Sequence, residues 1–322
     1  MSVRLHPRVL LASSALAFVA GVAPAYAQID ETAGMITEIK VGRGTVEMKT
    51  ADGEWRRAAP LSALRAGDEV RAVGDASAVV LLTGGRGTVL VKAKSSPYVV
   101  GAPRAKESTG QRVRSLLSSS LGFLAAGPKE PPTAVTSSRA GNGAAEILTP
   151  RNGMILPDSL VFEWLGSQFS RYRVRIADSS TVPLERKGVA GARLTYPADA
   201  PRLRPGVRYQ LQVEASGAKP TEAWFEIVDE PRAAEIRENL KQLEASLGRV
   251  SPSSRAAVRA GALAADELFH DARLVVLAAL AKDPDEPSLH MLLGNIYLKT
   301  GLPRLAARSL DEAQFLLSRD RK

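Results

Sequence analysis

Residues 290–318 read HMLLGNIYLKTGLPRLAARSLDEAQFLLS, and this stretch decides the fold of the C-terminal part of the chain. Small residues stand at Gly294, Ala306 and Ala313, and Tyr297 follows the first of them by three positions. This spacing predicts two antiparallel helices that cross closely at Gly294 and Ala306, with Tyr297 filling the space beside the crossing. Because such a hairpin cannot bury its apolar face alone, we expect it to stack against further units.

A related segment lies 34 residues earlier, at 256–284, and reads AAVRAGALAADELFHDARLVVLAALAKDP. The positions that share register with the later copy are Ala260 with Gly294, Leu263 with Tyr297, Ala272 with Ala306, Val276 with Leu310 and Ala279 with Ala313. The period and the small-residue pattern resemble the tetratricopeptide repeat. The earlier copy is degenerate, because Arg259-Ala260 stand where the family has Leu-Gly. The alternative is an ordinary helix packing whose alanines coincide by chance.

The resemblance implies a concave groove that binds peptides or proteins, lined by the first helix of each repeat. By register, the partner-binding side chains of the second copy are Ser288, Met291, Asn295 and Leu298. Those of the first copy are Ala257 and Ala264.

A further helix is predicted from Pro231, since Ile236, Leu240, Leu243 and Leu247 recur at helical spacing. We interpret residues 230–320 as this capping helix followed by two repeats. Two repeats are fewer than the three usually needed for independent stability. The sequence therefore predicts either docking of the helices on the preceding module or self-association.

Residues 147–229 alternate in short strands, which predicts a β-sandwich. Trp164, the strand at Tyr172 and the turn Leu203-x-Pro205-Gly206 before Tyr209 resemble fibronectin type III and immunoglobulin-like modules. Such a module is a spacer or a binder, and the fold alone does not decide between them.

Residues 32–103 also predict an all-β module. Trp55, the Gly67-Asp68 turn before a strand, and Leu81-Leu82 before a glycine turn resemble the β-domain of iron-dicitrate sensor (FecR-type) envelope proteins. Gly84-Gly85 stands where that family has Asp-Gly. The resemblance implies an envelope protein and leaves a sensor or regulator as the alternative function.

The N-terminal segment 1–27 has Arg4 and Arg8 before an apolar stretch, and Ala25 and Ala27 before Gln28, which is typical of a cleaved export signal. Its apolar run is short for a membrane span, although an uncleaved anchor is the alternative. We therefore expect a periplasmic or secreted protein of a Gram-negative envelope, without a transmembrane segment after cleavage.

Residues 104–146 read as a mostly flexible linker rich in Ser, Gly, Pro and Ala. Within it, apolar residues at helical spacing predict a short amphipathic helix: Val113, Leu116, Leu117, Leu121 and Leu124. We expect this helix to dock on a neighbouring module; contact with a membrane is the alternative.

Chemistry is sparse along the chain. It has no cysteine, and its three histidines, His6, His270 and His290, lack a metal-binding spacing, so the sequence predicts no metal, no cofactor and no catalytic residues. The formal charge of +9 is scattered and the aromatic content is 5%, which argues against nucleic acid as a partner. An envelope glycan bound through a β module is an alternative partner.

The sequence thus predicts a multidomain β plus α protein: a small β-domain, an immunoglobulin-like sandwich and C-terminal helical hairpins. The predicted function is a non-catalytic envelope scaffold that binds a protein partner through those helices.

Overall fold

A computed structural model describes residues 32–83, 86–102, 110–128, 144–157 and 160–319. The predicted signal segment and much of the predicted linker lie outside these ranges. From Glu31 onward the chain forms one compact unit, so the β modules and the helices are in mutual contact.

The first β module consists of two four-stranded sheets. Its strands are β1 (Gly34–Lys40), β2 (Thr45–Lys49), β3 (Arg56–Arg57), β4 (Ser62–Leu64), β5 (Glu69–Val73), β6 (Ser77–Leu82), β7 (Gly87–Lys92) and β8 (Tyr98–Val99). The sheet orders are β4-β1-β6-β7 and β3-β2-β5-β8, with antiparallel pairing throughout. The alternation of buried and accessible side chains along β2, β5 and β6 directs one face of each sheet into a shared core.

The first sheet is buried on its other face as well. Met35 of β1, Leu81 of β6 and Leu61, just before β4, belong to the core that the helices share. This explains why β1 is a nearly continuous run of buried residues.

The second β module pairs a five-stranded sheet, β10-β16-β15-β12-β13, with a three-stranded sheet, β14-β11-β9. Its strands are β9 (Glu146–Thr149), β10 (Gly153–Ile155), β11 (Val161–Leu165), β12 (Arg171–Ala177), β13 (Leu184–Ala190), β14 (Arg193–Thr195), β15 (Arg208–Ala215) and β16 (Thr221–Ile227). Trp164 lies in the core between the sheets and meets Tyr172 edge-on at 5.3 Å between ring centroids.

Six α-helices complete the described chain: α1 (Gln111–Ala126), α2 (Glu230–Ser246), α3 (Pro252–Ala265), α4 (Phe269–Leu280), α5 (Pro287–Lys299) and α6 (Pro303–Arg319). The starts of α2, α3 and α5 follow from their sequence. Asp229, Ser251 and Glu286 cap the first backbone N–H groups, and a proline follows within the first turn.

The helices α5 and α6 cross where the sequence predicts. A Cβ added to Gly294 would lie 2.8 Å from Cγ of Leu310 and 3.2 Å from the carbonyl oxygen of Ala306. Only glycine therefore permits this approach, and the predicted hairpin is confirmed. The coarse layout of β sheets followed by helices is confirmed with it.

Candidate protein-binding groove

The predicted groove is the face formed by α3 and α5, the first helices of the two hairpins, which contact each other. Gly261 of α3 and Asn295 of α5 stand 34 residues apart, at the same position of the two predicted repeats. Gly261 faces Ser120 and Leu124 of α1, and Asn295 faces Gly127, the residue that follows α1. The groove is therefore occupied in this structure by a helix of the chain itself.

Contact between α1 and α3 is close because both helices present small residues. The hydroxyl of Ser120 donates to the carbonyl oxygen of Val258 at 2.7 Å. A Cβ on Gly261 would meet the Ser120 hydroxyl at 2.7 Å and Cγ of Leu124 at 2.9 Å. Leu117 and Leu121 join the same apolar core. The amphipathic face predicted within 104–146 thus docks on the repeats.

The predicted partner-binding residues lie beneath this cover. Ser288, Met291 and Asn295 are 0%, 1% and 3% exposed, and Leu298 is half-buried. Ala257 and Ala264 of the first copy are buried as well. In this conformation these side chains are buried within the chain, because α1 and β1 contact α3 and β1 contacts α5; that they bind an external partner stays a prediction.

Among these residues, Asn295 has the least favourable surroundings for its side chain. Its side-chain amide is buried, and neither its oxygen nor its nitrogen has a hydrogen-bond partner among the described residues. It lies against Gly127, the residue that ends α1, and a Cβ on Gly127 would overlap the amide. A buried amide without partners destabilises the contact that buries it.

Strand β1 closes the other side of the groove through a polar junction. The Ser254 hydroxyl of α3 lies 2.8 Å from Oγ1 of Thr37 and 2.6 Å from Oε1 of Glu38. Ser251 also hydrogen-bonds to Glu38. All of these side chains except Ser251 are buried, so this junction joins the first β module to the repeats without solvent between them.

A second buried carboxyl lies nearby, at Glu286. Burial raises the pKa of Glu286 to about 7; a hydrogen bond from the Ser288 hydroxyl opposes the rise, and the charge of Glu38 adds to it. Its Oε1 accepts from the Ser288 hydroxyl at 2.7 Å and from the Ser288 backbone N–H at 3.1 Å. The carboxyl therefore caps α5 while it is held away from water.

An open cleft of about 610 Å³ lies beside this junction, with Glu38 and Asp283 on its wall together with Lys40, Arg259 and Lys282. Its apolar wall comes from α3 and α4, including Ala256 and Val275. The mixed charge of the cleft selects no single class of ligand.

The second β module contacts the helices through its first strands. Thr149 Oγ1 lies 2.5 Å from Nδ1 of His270, at the start of α4. Burial lowers the pKa of His270 to about 4, and the charge of Arg273 lowers it further. His270 therefore packs as a neutral ring at this contact.

A buried ion pair strengthens the same contact. Nη1 of Arg273 lies 2.8 Å from Oε2 of Glu163, on β11, and Nε of Arg273 donates to the Tyr297 hydroxyl at 3.4 Å. Nε of Arg151 donates to the carbonyl oxygen of Thr300 at 2.7 Å, which fixes the turn between α5 and α6. The docking of the helices on the preceding module, one of the two predicted outcomes, is therefore present.

On the first β module, Trp55 was singled out by its sequence context. Its ring lies 4.1 Å from the guanidinium carbon of Arg71, which itself pairs with Glu47 at 2.6 Å. One face of the ring is thus covered by a cation of the chain, which leaves less of it for stacking on a glycan.

Chemistry elsewhere is limited. Within the described ranges, no group of three or more His, Asp or Glu side chains is arranged to hold a metal ion. None of the helices in those ranges combines the length and the apolar character that a membrane crossing requires. Nε2–H of His290, the other described histidine, donates a hydrogen bond of 2.7 Å to the carbonyl oxygen of Pro284.

Comparison with known proteins gives no relative: no family model matches the chain, and no curated protein matches it.

Two features of the groove are missing from the sequence-based prediction. The first is the identity of the occupant, although the spacing of Leu117, Leu121 and Leu124 marks α1 as an amphipathic helix that needs a partner surface. The second is the polar junction of Thr37 and Glu38, which no pattern in β1 signals.

Proposed function

We propose that the chain is a non-catalytic, exported envelope protein that acts as a protein-interaction scaffold through its C-terminal helical repeats. The observation that carries this proposal is the close packing of α1 on α3, with Gly127 at the end of α1 against Asn295 of α5, at equivalent positions of the two predicted repeats. A surface that accepts one helix in this way has the shape and the apolar lining to accept another.

The two β modules support the same function by holding the groove. The first contacts α3 and α5 through β1, and the second fixes α4 and the α5–α6 turn through Thr149, Glu163 and Arg151. Because both attachments are buried or partly buried, the repeats are held in a fixed geometry despite their small number.

Site-specific photo-crosslinking in cells tests the proposal. A benzoylphenylalanine at Leu298, on the half-buried edge of the groove, is compared with the same group at Phe169, which is 88% exposed on the second β module. We expect protein adducts larger than the chain itself at position 298 and few at 169. Equal adduct yields at the two positions would contradict a role of the groove in binding.

A sensor or regulator is the second candidate, and the contact between β1 and the groove favours it. A signal received by the first β module has a direct route to α3 through Thr37, Glu38 and Ser254. N-terminal sequencing of the protein from cells separates the two candidates, because a chain that starts at Gln28 has lost the only predicted anchor. A retained segment 1–27 in the membrane fraction supports the sensor.

A further inference from the structure

We propose that α1 is a displaceable occupant of the groove, and that the partner which replaces it is an amphipathic α-helix with the same spacing of apolar residues. The identity of that external partner rests on the proposed function, whereas the displacement of α1 does not.

The helix α1 packs on the predicted repeats from outside, as a bound helical ligand would. Ser120 and Leu124 of α1 lie over Gly261, Gly127 at the end of α1 lies against Asn295 at the equivalent position of the second predicted repeat, and the Ser120 hydroxyl donates to the backbone of α3. In the chain, α1 lies far from both contacts, and the whole second β module separates it from the repeats. It is therefore not part of either hairpin.

The helix has little stability of its own. Gly110 precedes it without a side-chain cap, its first turn has no acidic residue and contains Arg112, and its last turn has no basic residue. Ser115, Ser118, Ser119 and Gly122 lower its helix propensity further. The helical form of α1 thus depends on its packing against α3, α2 and β4 more than on its own sequence, and hydrogen exchange measures how often such an element opens.

The fit at the end of α1 is incomplete. The buried amide of Asn295 has neither donor nor acceptor among the described residues, and it is held against Gly127. A partner that supplied a hydrogen-bonding group at this point would satisfy a side chain that α1 leaves unpaired. The groove is consequently better suited to another occupant than to α1.

The buried face of α1 indicates which side chains a replacing helix needs. Its buried face carries Leu117, Leu121 and Leu124, with the small Ser120 placed over Gly261. A side chain larger than serine or alanine at that position would collide with α3. The outer face of α1 is exposed to solvent at Ser115, Ser118 and Ser119, so no other part of the chain packs on these positions and has to move when α1 dissociates.

A labelled peptide of residues 111–127 serves as the probe, and fluorescence anisotropy measures its binding to the mature full chain. In the variant Leu117→Ala plus Leu124→Ala, the resident helix is weakened while the groove is unchanged. We expect this variant to bind the peptide at least tenfold more tightly than wild type, because less of the groove is occupied by α1. A peptide with Leu121→Asp should bind neither protein.

A reversible lock supplies the matched control. Since the chain has no cysteine, Gly127→Cys plus Asn295→Cys introduces a single pair. A Cβ on residue 127 overlaps the Asn295 side chain, so the two Cβ atoms lie within the spacing of about 4 Å that a disulfide spans. We expect no peptide binding by the oxidised form and its return on reduction.

Hydrogen exchange on wild type keeps the proposal testable if the weakened variant fails to fold. Amides of α1 should exchange through an opening at least tenfold more frequent than that of α3. Exchange of α1 only together with α3, or a folded weakened variant with no gain in peptide binding, would overturn the proposal. If the peptide binds and no protein is crosslinked at position 298 in cells, α1 is displaceable and the scaffold function is wrong.

Discussion

The hydroxyl of Ser254 lies 2.8 Å from Oγ1 of Thr37, which joins the first turn of α3 to the first strand of the described chain. Glu38 accepts from the same serine, and Glu286 lies close enough for the two carboxyls to affect each other. The contact between the first β module and the repeats therefore contains two buried acids. The stability of the folded chain therefore depends on the protonation of Glu286.

For Glu286 the direction of that dependence follows from its pKa, which rises from 4.5 to about 7 on folding. Between these values the folded state binds more protons than the unfolded state, so the free energy of unfolding falls as pH rises. We expect Glu286→Gln to raise stability by about 1 kcal/mol at pH 5 and by about 3 kcal/mol at pH 8. Urea unfolding at both pH values measures this, with the exposed Glu312→Gln on α6 as control. Equal effects at the two pH values would contradict the buried, protonated state.

His270 acts in the opposite sense. Its pKa falls from 6.5 to about 4 on folding, so the folded state binds fewer protons in that window and stability is lost as pH falls through it. The slopes from His270 and Glu286 oppose each other between pH 4.5 and 6.5. In the His270→Gln variant only the contribution of Glu286 remains, so we expect the stability of this variant to fall as pH rises from 4.5 to 6.5. Thermal unfolding across this range measures the change. Glutamine is chosen because it keeps a polar group for Thr149. If stability depends on pH in the same way in this variant and in wild type, the pKa of His270 is not lowered by folding.

Close packing between α1 and α3 makes Gly261 a sensitive position. Gly261→Leu should displace α1, because even a Cβ there lies 2.7 Å from the Ser120 hydroxyl. We expect loss of protection of α1 amides and a decrease in stability of about 2 kcal/mol. The control is Gly122→Ala, on the face of α1 that points away from α3, where an added Cβ meets nothing within 4 Å. That change should stabilise α1 by up to about 1 kcal/mol, and destabilisation by both variants alike would argue against the seating of α1.

The ion pair of Arg273 with Glu163 should contribute more to the stability of the protein than the half-exposed pair of Arg304 with Glu146. Arg273 is buried, so Arg273→Met leaves the Glu163 carboxylate partly buried without its main cation and should destabilise the protein by about 2–3 kcal/mol. Arg304→Met breaks the half-exposed pair with Glu146 and should change stability by less than about 1 kcal/mol. Chemical denaturation of the two variants measures the difference, and a double variant Arg273→Met with Glu163→Gln should recover part of the loss.

Local patterns in the sequence predict much of the fold. Alternation of apolar and polar residues places β2, β5 and β12 correctly, and the glycine and alanine positions around Gly294 predict the α5–α6 hairpin. These features depend on neighbours within about 30 residues, where spacing is informative. Short strands such as β3 and β8, each of two residues, have no period to detect and are missed.

The candidate site depends on contacts that local patterns do not contain. Repeat register predicts a partner-facing position for Met291 and Asn295, yet it does not reveal that both side chains are buried within the chain. The contacts concerned join residues more than a hundred positions apart, such as Ser120 with Val258 and Ser254 with Glu38. Only the folded chain brings these pairs together.

The separation between α1 and its groove also orders the events of biosynthesis. The Ser120–Val258 hydrogen bond spans 138 residues, so the ribosome completes the helix well before it has made α3. During that interval the leucines of α1 lack the surface of α3, against which most of their helix packs. An N-terminal fragment that stops before Ser251 carries the occupant without the groove, and we expect it to aggregate or to be degraded.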